Sequence, residues 1–185
     1  MEFCLHYEGK LRSRDTAKAK HSIRQSLHGQ LRSICLSRPF VSLFKPDQFE
    51  SLVIKDLSMS KVIDGKKFNF LISEKLATVA NLNLTLLVPH AVGSIVQNGG
   101  DIDNRLKTLF DALRIPTASS EVPTTDDFEY GSEGMYCLLE DDKLINRVAI
   151  KSFQDHSPLG GDSVRCLIEV ETKITQPVLA GLCFV

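Results

Sequence analysis

Between Gly100 and Leu113 the chain reads Gly-Asp-Ile-Asp-Asn-Arg-Leu-Lys-Thr-Leu-Phe-Asp-Ala-Leu, which sets two carboxylates, an amide and a lysine at the start of an amphipathic helix. Carboxylates gathered this closely repel one another unless a cation or a proton lies between them. A second acidic knot, Glu140-Asp141-Asp142, precedes an apolar, strand-like run. The chemistry this pattern suits is magnesium-assisted work on phosphate. Magnesium takes one or two protein carboxylates directly and fills its shell with water and substrate oxygens. Asp103, Lys107 and Asp111 follow one another by single helical turns and share one stripe. Asp101 precedes them in extended chain, and Asn104 and Lys107 are placed to meet phosphate oxygens. Gly99-Gly100, without side chains, lets a bulky ligand approach closely.

A plainer reading of the same stripe stays open. Asp103 at a helix N-terminus is stabilised by the exposed amides by roughly 0.3–1 kcal/mol, with Lys107 as a surface partner of Asp103 or Asp111. Asp-x-Asp also serves metal-dependent glycosyl and nucleotidyl transfer, but that chemistry needs a nucleotide-binding βαβ region, and none reads from this chain. Ser94, Ser132 and Cys137 have no suitably spaced base for nucleophilic catalysis, and Gly160-Gly161 lacks the pattern of a phosphate loop. His21 and His28 are seven apart without nearby ligands, a spacing that favours solvated or capping roles over metal binding.

The run Asp101, Asp103, Asn104, Lys107, Asp111, Ala112, Leu113, followed by Asp141-Asp142 before a hydrophobic strand, resembles RusA-type crossover (Holliday) junction endodeoxyribonucleases. The match is tight over 101–113, looser over 140–150, and elsewhere covers only the order of elements. The resemblance implies catalytic residues at Asp101, Asp103, Lys107 and Asp142, with Asp101, Asp103 and Asp142 holding Mg²⁺ or Mn²⁺. Lys107 would stabilise charge at phosphorus or orient the attacking water, and Asn104, Asp111 and Asp141 would steer those groups. It further implies a bacterial or phage homodimer that resolves four-way DNA junctions in recombination and repair. Two departures stand out. Family members carry a basic run where this chain has Gln97-Asn98-Gly99-Gly100, and here an acidic insert of about 116–137 separates the two motifs. A nuclease acting on other branched DNA and a non-catalytic DNA-binding relative are the alternatives.

At 185 residues, 43% hydrophobic and 24% charged, the chain has the size and composition of one globular domain spanning 1–185. The net charge of −1 conceals an uneven layout. The region 1–45 is basic, and residues 119–142 carry eight carboxylates with neither lysine nor arginine. Arg12, Arg14, Lys18, Lys20, Arg24 and Arg32 are the candidate DNA contacts, and Lys20, Arg24 and His28 form a basic seam at helical spacing. The five cysteines show no CxxC spacing and read as thiols of a reducing compartment. No apolar run reaches the roughly 20 residues that would span a bilayer, and the expected location is cytoplasmic.

The elements that must position these groups follow from periodicity. Phe3, Leu5 and Tyr7 predict a first strand, and Ile23, Leu27, Leu31 and Ile34 predict a helix over 16–35. Val53-Ile54 and Val62-Ile63 suggest short strands, and Asp64-Gly65 predicts a turn feeding a strand through Phe68, Phe70 and Ile72. Further strands are expected over 81–88, 144–153 and 164–174, the last two joined as a hairpin, with a helix over 104–114 and a long loop over 116–134. The expected class is α+β, a small mixed or antiparallel sheet packed against two main helices, RusA-like.

Overall fold

The structure, a computed structural model, describes residues 1–12, 15–44, 58–89, 102–123, 133–157, 160 and 163–176. Expectations placed on Asp101, Arg14, Val53-Ile54, Gly99-Gly100 and Cys183 lie outside the described residues.

The elements in chain order are β1 (Glu2–Lys10), α1 (Ala17–Cys35), α2 (Val41–Phe44), β2 (Ser60–Ile63), β3 (Lys66–Ile72), β4 (Thr78–Val88), α3 (Ile102–Leu113), β5 (Met135–Leu139), β6 (Ile145–Gln154) and β7 (Ser163–Ile174). Thr16 starts α1: its side chain accepts from the Ala19 N–H at 3.2 Å. The stripe Ile23, Leu27, Leu31 and Cys35 is buried. Asp64 and Gly65 both take positive φ, 52° and 71°, the backbone a tight two-residue hairpin requires, and they join β2 to β3.

The class is α+β, with two mixed sheets where one was expected. The larger has the order β1-β7-β4-β6: β7 lies antiparallel between β1 and β4, and β4 runs parallel to β6. In the smaller, β3 pairs antiparallel with β2 and parallel with β5. The expected hairpin between β6 and β7 is corrected, because β4 separates them. Three alternating leucines (Leu82, Leu84, Leu86) give β4 a buried face opposite Val170, Ile168 and Cys166 of β7, which favours the central place. The long loop expected over 116–134 holds a short 3₁₀ turn at Ser119–Glu121, and the acidic insert runs into β5, whose five residues are all buried. Gly134 before β5 has φ +85°, and an added Cβ would lie 2.5 Å from the Lys67 carbonyl, so this approach of two backbones requires glycine.

α1 packs against β1, β5 and α3, and so joins the two sheets to the helix that carries the acidic motif. Leu109, Ala112 and Leu113 are the buried face of α3, with Leu106 and Phe110 partly buried beside them. Cys35, Cys137 and Cys166 are buried thiols pushed up by burial, whereas Cys4 is exposed. No helix among the described residues is long and apolar enough to cross a membrane.

Candidate functional site

α3 presents its first two turns to solvent. Asp103 and Lys107 are exposed, and Asp103 Oδ1 accepts from the Asn104 N–H at 2.8 Å. Asn104 is half-buried, and its carbonyl accepts the Thr108 hydroxyl at 3.2 Å. The stripe then turns inward, and Asp111 is only 7% exposed. Asp111 Oδ2 accepts from Lys20 Nζ at 2.6 Å and Oδ1 from Arg114 Nη2 at 3.0 Å. Asp111, expected to steer Lys107 or the metal ligands, ties α3 to α1 through Lys20.

The second knot splits three ways. Glu140 accepts from Ser73 Oγ at 2.5 Å and pairs with Lys61 Nζ at 2.8 Å, which ties the end of β5 to β2 and to the Ser73 turn. Burial alone would raise its carboxyl, but these hydrogen bonds outweigh burial and hold it below the usual range. Asp141 caps a 3₁₀ turn over Asp142–Leu144 and accepts the Lys143 N–H at 3.0 Å. That amide first, then the neighbouring Asp142 carboxyl and the charges of Lys143 and Arg114, lower it against the opposing effect of burial. Asp142 stays exposed, its side chain 47% accessible, with Oδ2 4.0 Å from Arg114 Nε.

α3 packs against the 142–144 turn, and Asp103 and Asp142 approach it from different ends. Asp103 to Arg114 is about 16 Å of helix axis. Asp103 thus stands at the N-terminal end of α3, and Asp142 lies beside Arg114, just past its C-terminal end. Among the described residues no three Asp, Glu, His or Cys form a group able to grip a metal ion. The donors present are carboxylate oxygens, the hard set that magnesium prefers over thiol or imidazole.

The candidate DNA contacts separate by environment. Arg12 and Lys18 are exposed. Lys20 is turned to Asp111, and Arg24 is 2% exposed, donating from Nε to the Arg114 carbonyl at 2.9 Å and from Nη2 to the Asp111 carbonyl at 2.5 Å. The basic seam thus faces the core, and Lys20 and Arg24 are corrected from phosphate contacts to helix–helix ties. His28 on the same face accepts the Tyr136 N–H at its Nδ1, 2.9 Å away. Arg32 pairs with Glu133 at 2.9 Å at the surface, an exposed pair of the weak kind that yields readily to a phosphate.

Arg114 and Glu121 escape a reading of the sequence alone. Arg114 Nη1 and Nη2 each donate to Glu121, at 2.9 and 3.0 Å, and Glu121 also accepts the Thr117 N–H at 3.1 Å. Burial opposes ionisation of Glu121, but the Arg114 and Thr117 hydrogen bonds prevail and bring its carboxyl down to about 2. The one local signal is an arginine directly after the apolar face of a helix, with a glutamate seven residues on. No protein-family model matches this chain, and neither does any curated protein or solved structure.

Proposed function

We propose that this protein is a magnesium-dependent endonuclease that cuts branched DNA at four-way junctions, acting as a homodimer so that two sites face a two-fold substrate. The observation that carries the reading is the packing of α3 against the 142–144 turn with Asp103, Lys107 and Asp142 all left exposed. Other charged groups on these elements have partners: Asp111 is held by Lys20 and Arg114, and Lys143 pairs with Glu74.

In this reading Asp103 and Asp142, with Asp101, are the carboxylates that would hold the cation. Magnesium, when bound, neutralises phosphate charge and acidifies a coordinated water. Lys107 offers its ammonium to the non-bridging phosphate oxygens and stabilises the charge that builds there in the transition state. Asn104 orients the start of α3 beside it. Arg12, Lys18 and Arg32 contact the DNA backbone away from the cut.

The test is cleavage of a mobile four-way junction in magnesium, with linear duplex and flap substrates alongside. Junction cleavage by the wild type, and retained junction binding without cleavage by Asp103→Asn, support the reading. Absence of magnesium-dependent cleavage of any branched substrate, or an Asp103→Asn variant that cuts at the wild-type rate, refutes it.

A further inference from the structure

We propose that two copies of this chain pair along β6, edge strand against antiparallel edge strand, and so join their larger sheets into one. This places the interface of a homodimer on a named surface, and it stands on that surface alone, with or without nuclease activity. A strand at the end of a sheet presents main-chain donors and acceptors that a further strand can satisfy. The two ends of the larger sheet differ in this respect. At β1 the Gln30 amide takes both groups of His6: Oε1 accepts the N–H at 2.9 Å, and Nε2 donates to the carbonyl at 2.7 Å. At β6, among the described residues, β4 is the one ladder partner. The side chains point the same way. Val148 and Ile150 stand in register with Leu82 and Leu84 of β4, on the face turned to the core. Those leucines are 0% and 1% exposed, whereas Val148 and Ile150 are each 37% exposed. The apolar layer therefore runs out half covered at β6. Phe153, on the opposite face of the strand, is 50% exposed.

The sequence of β6 fits a copy of itself in one register. A two-fold axis through an antiparallel pair sets one residue opposite itself. Centring on Arg147 or Lys151 sets like charges face to face, and centring on Ala149 sets Arg147 against the partner's Lys151. Centring on Ile150 avoids every such clash over 146–154. Arg147 then faces the partner's Phe153, a cation over an aromatic ring, and Lys151 faces the partner's Ala149. Ile150 meets its own copy, so the half-covered apolar layer continues across the axis. Centring on Val148 also keeps the charges apart, but it pairs only 145–151, leaves Phe153 outside and sets Ile150 against an asparagine.

The test is sedimentation velocity of the purified full chain across a range of concentrations, without DNA or metal. The wild type should dimerise reversibly. Ile150→Glu sets two carboxylates opposite each other, and its dissociation constant should rise at least roughly tenfold. Because Ile150 meets solvent in the single chain, circular dichroism and the urea midpoint serve to show that this variant folds. A second pair of variants reads the register whether or not Ile150→Glu folds. With Cys4→Ser and Cys183→Ser in place and copper phenanthroline as oxidant, Ile150→Cys should form a covalent dimer and Arg147→Cys should not. A wild type that stays monomeric overturns the proposal, as does a dimer that a folded Ile150→Glu leaves intact or that Ile150→Cys fails to link. Dimerisation through β6 by a protein that cuts no branched DNA upholds the pairing and ends the nuclease reading; cleavage by a monomer does the reverse.

Discussion

Asp111→Asn separates an anchoring role from a role in the candidate site. The carboxylate is buried and serves two cations, Lys20 at 2.6 Å and Arg114 at 3.0 Å. Removing one partner of a buried ion pair costs about 3–5 kcal/mol when the other is left without compensation. Here the remaining partners are partly compensated. The Lys20 side chain is 23% exposed and can reach water, and Arg114 keeps Glu121. The expected loss is then about 2–3 kcal/mol, or roughly 4–12 °C in Tm for a chain of this length. Urea denaturation followed by circular dichroism reads it as a lower midpoint at unchanged slope. In a cycle with Lys20→Met the two substitutions should couple by about 1 kcal/mol. Manganese affinity should stay at the wild-type value. A loss under about 0.5 kcal/mol, or manganese binding that falls while stability holds, would refute the anchoring role and return Asp111 to the site.

His21 is fully buried, and burial, followed by the charges of Arg24 and Lys66, lowers its imidazole from 6.5 to about 4. The unfolded chain takes up that proton first, so stability is complete above pH 6.5 and falls toward pH 4 by up to about 3 kcal/mol. Urea midpoints across this range should lose that slope in His21→Leu; an identical slope in the variant would assign it elsewhere. Gly134→Ala should cost about 1–3 kcal/mol through its positive φ and the Lys67 carbonyl, and a neutral effect on the urea midpoint would contradict the close approach. Replacing both exposed cations, Arg12→Gln with Lys18→Gln, should reduce the salt dependence of junction binding by about 0.9 in slope for each phosphate no longer neutralised. An unchanged slope would place the DNA elsewhere.

Local pattern carried the helices well. The Ile23-Leu27-Leu31 stripe and the Leu106-Leu109-Phe110-Leu113 face are amphipathic signals of the kind periodicity reads directly, and both are buried as expected or nearly so. Asp64-Gly65 announced its turn because few residues accept two positive φ values in succession. Pairing was not legible. β6 and β7 are consecutive, yet β4 enters between them, since pairing depends on long-range partners rather than on proximity in sequence. Met135–Leu139 was hidden because a short strand buried on both faces has no alternation to show.

The charged residues misled for a related reason. Lys20 and Arg24 have the spacing of a solvated basic face, and their partners, Asp111 and the carbonyls of Asp111 and Arg114, lie far along the chain. Nothing near them in sequence marks them as buried. The acidic motif was legible in residue type, and α3 and the 142–144 turn do meet, but the exposure that keeps Asp103 and Asp142 open belongs to the fold.

If Asp103 and Asp142 serve one cation together, neither can be replaced without weakening the same binding event. Isothermal titration of manganese into wild type, Asp103→Asn and Asp142→Asn, all free of DNA, addresses this directly. One binding event per chain is expected in the wild type, weakened at least roughly tenfold by either substitution, an effect of about 1.4 kcal/mol or more. Wild-type affinity in both variants, or two independent events of which each substitution removes one, would contradict a shared ion.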